Sequence, residues 1–119
     1  MDCKVLVIDD SPMVMKAVTK ALEPQGAQMV GQAFNGQEGL EMINQLKPDV
    51  IVLDITMPVM DGIQTAEQLF QKNPAAKVIM LSAMGDEELI NKAKRLGVKI
   101  FLTKPFKPEE MVQSVQSLL

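Results

Sequence analysis

The chain contains no histidine, no tryptophan and no tyrosine, and one cysteine among its 119 residues. Without histidine there can be no histidine metal ligand, no Ser-His-Asp or Cys-His nucleophile and no phosphohistidine in this chain. The lone Cys3 cannot form an internal disulfide, which points to a reducing compartment and to an inert thiol on a strand. The first residues, Met1-Asp2-Cys3-Lys4, lack a signal-peptide layout, and no apolar run approaches the roughly 20 residues that span a bilayer. A cytoplasmic location away from membranes is therefore expected. Excess positive charge is lacking too: net charge is −3, and lysine and arginine are dispersed apart from Lys92, Lys94 and Arg95, so direct nucleic-acid binding is not expected.

What is present suits one globular domain over residues 1–119, with 47% hydrophobic and 23% charged residues. A chain of this length buries roughly two thirds of its unfolded surface, so it needs neither a disulfide nor a structural metal to fold. Short apolar runs alternate with longer segments of helical period. The runs are Val5–Ile8, Gln28–Ala33, Val50–Leu53, Val78–Leu81 and Val98–Leu102. Four read as strands buried on both faces, the mark of a parallel sheet covered by helices, while the more polar second run suits an edge. Helices are predicted near 12–23, 36–46, 61–72, 86–96 and 107–118. Ser11-Pro12, Asn35, Asp61 and Pro108 mark starts, and Pro24 with Gly26, and Gly97, mark stops. Five β-α units with right-handed crossovers predict an α/β fold with an open, doubly wound five-stranded parallel sheet of the flavodoxin-like kind.

Nearly every polar residue able to do chemistry directly follows an apolar run: Asp9 and Asp10 the first, Asp54 the third, Ser82 the fourth, and Lys104, after Thr103, the fifth. Open α/β sheets bind ligands outside the carboxyl ends of their strands, where the strand order reverses, and in the known order 2-1-3-4-5 strands one and three flank that point. Asp9, Asp10 and Asp54 should therefore converge. Three carboxylates in one crevice repel unless a cation joins them, and hard oxygen ligands favour Mg²⁺, with Mn²⁺ able to substitute. Such a site suits phosphoryl transfer, with Ser82 and Lys104 donating to phosphoryl oxygens. A carboxylate is the available nucleophile, and Asp54, alone at the end of the central strand, is the candidate.

These residues carry a resemblance. Val5-Leu6-Val7-Ile8-Asp9-Asp10-Ser11, Asp49 to Pro58 with Met60-Asp61-Gly62, Leu81-Ser82-Ala83 and Thr103-Lys104-Pro105-Phe106 together resemble the receiver domains of two-component response regulators, most closely the single-domain chemotaxis type. The resemblance covers the whole chain. It implies a signalling switch rather than an enzyme in the ordinary sense, with Asp54 accepting a phosphoryl group from the histidine of a partner kinase and Mg²⁺ held by Asp9, Asp10, Asp54 and the Thr56 carbonyl. It also implies that Ser82 and Lys104 grip the phosphoryl group, that the Lys104-Pro105 bond is cis, and that Phe101 is the aromatic switch residue, here without a tyrosine hydroxyl. Thr56 and Met84 stand where the family tunes phosphoryl lifetime. The implied output face, formed by the fourth helix, fifth strand and fifth helix, carries Lys92, Lys94, Lys99 and Lys107 and suits an acidic target protein. A phosphatase is a further implied partner, and a monomer is expected.

Bland alternatives stand beside these readings. Asp9-Asp10 can be a turn, Ser82 a helix cap, Lys104 a solvated lysine and Phe101 a core aromatic, and the ten methionines read mainly as core filler, with Met13, Met57 and Met84 as walls of the crevice. Rival functions fit less well. An aspartyl phosphatase needs a second carboxylate where Thr56 stands, and a flavin carrier needs a phosphate loop where Asp9-Asp10-Ser11-Pro12 would repel one. A constitutive adaptor would not need the site, whereas a receiver from a longer regulator would share it.

Overall fold

In the computed structural model, which describes residues 1–119, strands and helices alternate strictly: β1 (Lys4–Ile8), α1 (Pro12–Leu22), β2 (Gln28–Ala33), α2 (Gly36–Leu46), β3 (Val50–Asp54), α3 (Gly62–Lys72), β4 (Val78–Ser82), α4 (Glu87–Leu96), β5 (Ile100–Thr103) and α5 (Pro108–Leu118). All strand pairs are parallel and the order is β2-β1-β3-β4-β5. The doubly wound expectation and its order hold, with the polar second run at an edge.

Side chains alternate across each strand, so the central strands feed two apolar layers. Val5, Val7, Val50, Val52, Ile79 and Leu81 pack with Val18 and Leu22 of α1 and Met111 and Val115 of α5. Leu6, Ile8, Ile51, Leu53 and Met80 pack on the opposite face with Ala66 and Leu69 of α3 and Ala93 of α4. Truncating a fully buried leucine such as Leu22 to alanine costs about 2–5 kcal/mol in such layers. No helix is long and apolar enough to cross a membrane.

Local chemistry sets the element ends. Ser11 accepts from the Val14 N–H at 3.4 Å, Asn35 from Glu38 N–H at 2.9 Å, and Asp61 with Gln64 forms a reciprocal capping box. After α1, a 3₁₀ turn over Glu23–Gln25 closes at Gly26, whose φ is 96°. The fifth strand starts at Ile100, two residues later than the apolar run suggests. Gly97 takes φ 122°, its N–H bonds the Lys94 carbonyl, and the Val98 N–H bonds the Ala93 carbonyl, so both residues finish α4 before the strand begins.

Candidate functional site

The carboxyl ends of β1, β3, β4 and β5 lie side by side, and the polar residues that follow them meet there. Asp9 continues β1 by one ladder bond, its N–H donating to the Ala33 carbonyl at 3.0 Å, and its side chain is buried. Asp9 Oδ1 accepts from the Ser11 N–H at 2.9 Å, a local turn that aims the carboxylate inward. Gln32 of β2 clamps this loop: its amide donates to the Asp9 carbonyl at 2.9 Å and the Ser11 carbonyl at 3.3 Å. Asp10 is exposed.

Asp54 ends β3 opposite Leu81 and is buried. Its position is held by the next residue, Ile55, whose N–H donates to the Leu81 carbonyl at 3.1 Å and whose carbonyl accepts from Gly62 at 2.7 Å. Gly62 has to be glycine here, because a Cβ would lie 2.2 Å from the Asp54 carbonyl oxygen. The start of α3 can thus press against the end of β3. Oxygen atoms of Asp9, Asp10 and Asp54 fall within 4.8 Å of one another, so the three carboxylates expected to converge do so.

Lys104 completes the group. Its main-chain N–H donates to the Ser82 carbonyl at 2.8 Å, and its peptide bond to Pro105 is cis. Its ammonium nitrogen lies 3.0 Å from Asp9 Oδ2 and 3.1 Å from Asp54 Oδ1, so it is not a solvated surface lysine. Apart from this ion pair, Asp9 Oδ2 is buried without a hydrogen-bond partner. Burial pushes the Asp54 carboxyl above its ordinary pKa, and the Asp9 charge adds to the rise; Lys104 and the Thr56 N–H oppose it only in part. Burial alone would lower the Lys104 pKa, but contacts with Asp9 and Asp54 outweigh it and hold the ammonium above the ordinary lysine value.

Thr56 is exposed, and its carbonyl accepts no hydrogen bond within the chain. Ser82 is buried at the end of β4, and its hydroxyl donates to the Leu102 carbonyl at 3.5 Å. It does not cap α4; Asp86 folds over that turn instead, accepting from the Ala83 N–H at 2.8 Å. Phe101 lies on β5 opposite Met80, partly buried in the second apolar layer, with the Lys94 ammonium 5.9 Å from its ring centroid. Of the methionines named as crevice walls, Met57 is buried, whereas Met13 and Met84 are open to solvent. The clamp by Gln32 escapes sequence reading, because a glutamine on an edge strand has no pattern that distinguishes it from a solvated one.

A buried aspartate at the end of a central strand, two further carboxylates beside it and a lysine shared between two of the three thus meet at one end of a doubly wound parallel sheet. Residues 5–116 match the family described as response regulator receiver domain, and the chain belongs to that family. It is similar to the chemotaxis protein CheY of Thermotoga maritima, 35% identical over 97% of this chain and 96% of that protein. Among solved structures, the receiver domain of NtrX from Brucella abortus superposes with a TM-score of 0.87 at 28% identity, covering 97% of both chains. A longer NtrX structure matches with a TM-score of 0.91, and there this chain spans 27% of its length. The protein is thus a CheY-like receiver domain of the two-component signalling class.

Proposed function

We propose that this receiver is a phosphorylation switch in which Asp54 takes a phosphoryl group from the phosphohistidine of a histidine kinase. An Asp54 carboxylate oxygen attacks phosphorus, the phosphorus–nitrogen bond breaks, and the electron pair stays on the imidazole, leaving an acyl phosphate on Asp54. The carrying observation is the Lys104 ammonium shared between Asp9 and Asp54, next to the exposed Asp10. That arrangement keeps a fixed positive charge where phosphoryl oxygens arrive.

The donor set fits Mg²⁺, or Mn²⁺ in its place: three carboxylates within reach of one ion, a buried Asp9 oxygen whose one partner is the Lys104 ammonium, and a free carbonyl on Thr56. Asp9, Asp10, Asp54 and the Thr56 carbonyl would hold the ion, which when bound supplies charge neutralisation to the phosphoryl oxygens. Lys104 binds one phosphoryl oxygen. The Ser82 hydroxyl, only weakly engaged with Leu102 at 3.5 Å, turns to another. Phe101 then moves into the space Ser82 leaves, and the face of α4, β5 and α5 changes its affinity for a target protein. Lys92, Lys94, Lys99 and Lys107 on that face suit an acidic target, as in a chemotaxis or motility pathway.

Four of the five exposed large apolar residues follow different strand ends on the Asp54 side of the sheet: Met13 in the first turn of α1, and Phe34, Val59 and Met84 on the loops after β2, β3 and β4. Such a rim supports a protein as phosphodonor, and a phosphatase partner would meet the same rim. The same reading makes the domain a cytoplasmic monomer that catalyses only its own phosphoryl transfer and hydrolysis.

Intact mass after incubation with acetyl phosphate, with and without Mg²⁺, tests the chemistry. Gain of one phosphoryl group that requires Mg²⁺ and disappears in Asp54→Asn is the expected result. No gain from acetyl phosphate or from a phosphorylated histidine kinase, with the fold intact by circular dichroism, would discard Asp54 as the acceptor.

A further inference from the structure

At the opposite end of the sheet from Asp54, a cavity of about 490 Å³ opens between the C-terminal ends of α2 and α3. Its apolar floor includes Ile43, Ile51 and Leu69, and Lys47, Lys72 and Lys77 stand on its wall. None of the three lysines has a carboxylate within ion-pair distance, since Lys104 makes both ion pairs of the fold. The one acidic residue in the wall, Asp49, is already engaged: its Oδ2 accepts from the Lys4 N–H at 2.7 Å. On a chain of net charge −3, this is a locally cationic pocket.

Part of that charge has an ordinary cause. Lys47 and Lys72 lie at the carbonyl ends of α2 and α3, where helix dipoles favour cations. Lys77 lies beyond the last turn of α3, out of reach of that effect. Lys47 is unusual in a second way. It takes the left-handed conformation, φ 49° and ψ 59°, at a helix end where glycine or asparagine is the unstrained choice. A long cationic side chain is held at a strained position, over a cavity of the size that encloses small ligands.

We propose that this cavity binds a small amphipathic anion, its apolar body against Ile43, Ile51 and Leu69 and its phosphate or carboxylate among Lys47, Lys72 and Lys77. The apolar floor selects for a ring or branched chain, and a bare inorganic ion leaves it unused. This site is separate from the phosphoacceptor and does not depend on that chemistry.

The test is a ¹⁵N–¹H NMR titration with phenyl phosphate, benzoate and inorganic phosphate, in EDTA so that the acidic site takes no anion. The expected result is saturable shifts at the Ile51, Leu69 and Ala76 amides with an aromatic anion, and phenyl phosphate against benzoate tells which head group is preferred. Affinity should fall by about tenfold or more in Lys47→Gln/Lys72→Gln/Lys77→Gln, as loss of several charge contacts requires. It should be unchanged in Asp54→Asn. Shifts that fail to saturate or map elsewhere, an equal response to inorganic phosphate, or unchanged affinity in the folded triple variant would each overturn the proposal.

Discussion

The Lys104 ammonium lies 3.1 Å from Asp54 Oδ1, a contact that joins the ends of β5 and β3 and that the same nitrogen extends to Asp9 of β1. Lys104 thereby offsets the repulsion between two buried carboxylates. Replacing it with methionine keeps the stem but removes the charge, leaving Asp9 and Asp54 unbalanced. Without Mg²⁺, Lys104→Met should lose about 1–3 kcal/mol in urea unfolding, less than for a fully buried pair because the lysine is partly exposed. Adding Asp54→Asn should restore part of the loss, and strict additivity of the two substitutions would sink the idea.

The raised Asp54 pKa sets a pH dependence. A carboxyl whose folded pKa lies above its unfolded value of about 4 stabilises the fold fully below that value. This contribution is lost as pH rises through the folded pKa, because an ionised Asp54 faces Asp9 in a buried site. In EDTA, the stability of Asp54→Asn relative to wild type should therefore increase from acid toward neutral pH. Chemical unfolding at a series of pH values measures it, and a flat difference would count against the assignment.

Mg²⁺ should stabilise the fold by mass action. At one hundred times its dissociation constant the gain is about 2.7 kcal/mol, which moves Tm by on the order of 10 °C for a domain of this size. Differential scanning calorimetry should show this rise in wild type and its loss in Asp9→Asn, which removes a buried carboxylate oxygen paired only with the Lys104 ammonium. An equal rise in that variant would place the ion elsewhere.

Val59 is strained. Its φ is 67°, and the Met60 N–H donates to the Pro58 carbonyl at 2.7 Å, so a β-branched residue sits at the centre of a tight γ-turn of the rarer hand. The side chain is 82% exposed, so little packing offsets that strain. Val59→Gly should raise stability by about 1 kcal/mol, while Val59→Ala, which keeps a Cβ, should recover much less. Thermal unfolding of the two variants side by side decides between them.

The sheet and its carboxylates are legible in the sequence because they rest on short-range rules. Val50 to Leu53 could only be a strand buried on both faces, and the polar residue after it had to emerge at the carboxyl edge, so Asp9, Asp10, Asp54, Ser82 and Lys104 share one end of the sheet. Caps at Ser11, Asn35 and Asp61 were legible for the same reason, being local hydrogen bonds between residues three apart. The start of β5 is not legible, since the apolar Val98 continues the strand pattern while its N–H is committed to closing α4.

Tertiary structure alone decided the rest. No pattern along the chain says that the Lys104 side chain reaches both Asp9 and Asp54, that Gln32 clamps the Asp9 loop, or that Lys47, Lys72 and Lys77 surround one cavity. Periodicity and capping are fixed by neighbours three or four residues away, whereas these contacts depend on how separate strand and helix ends are set against one another by the packed layers between them.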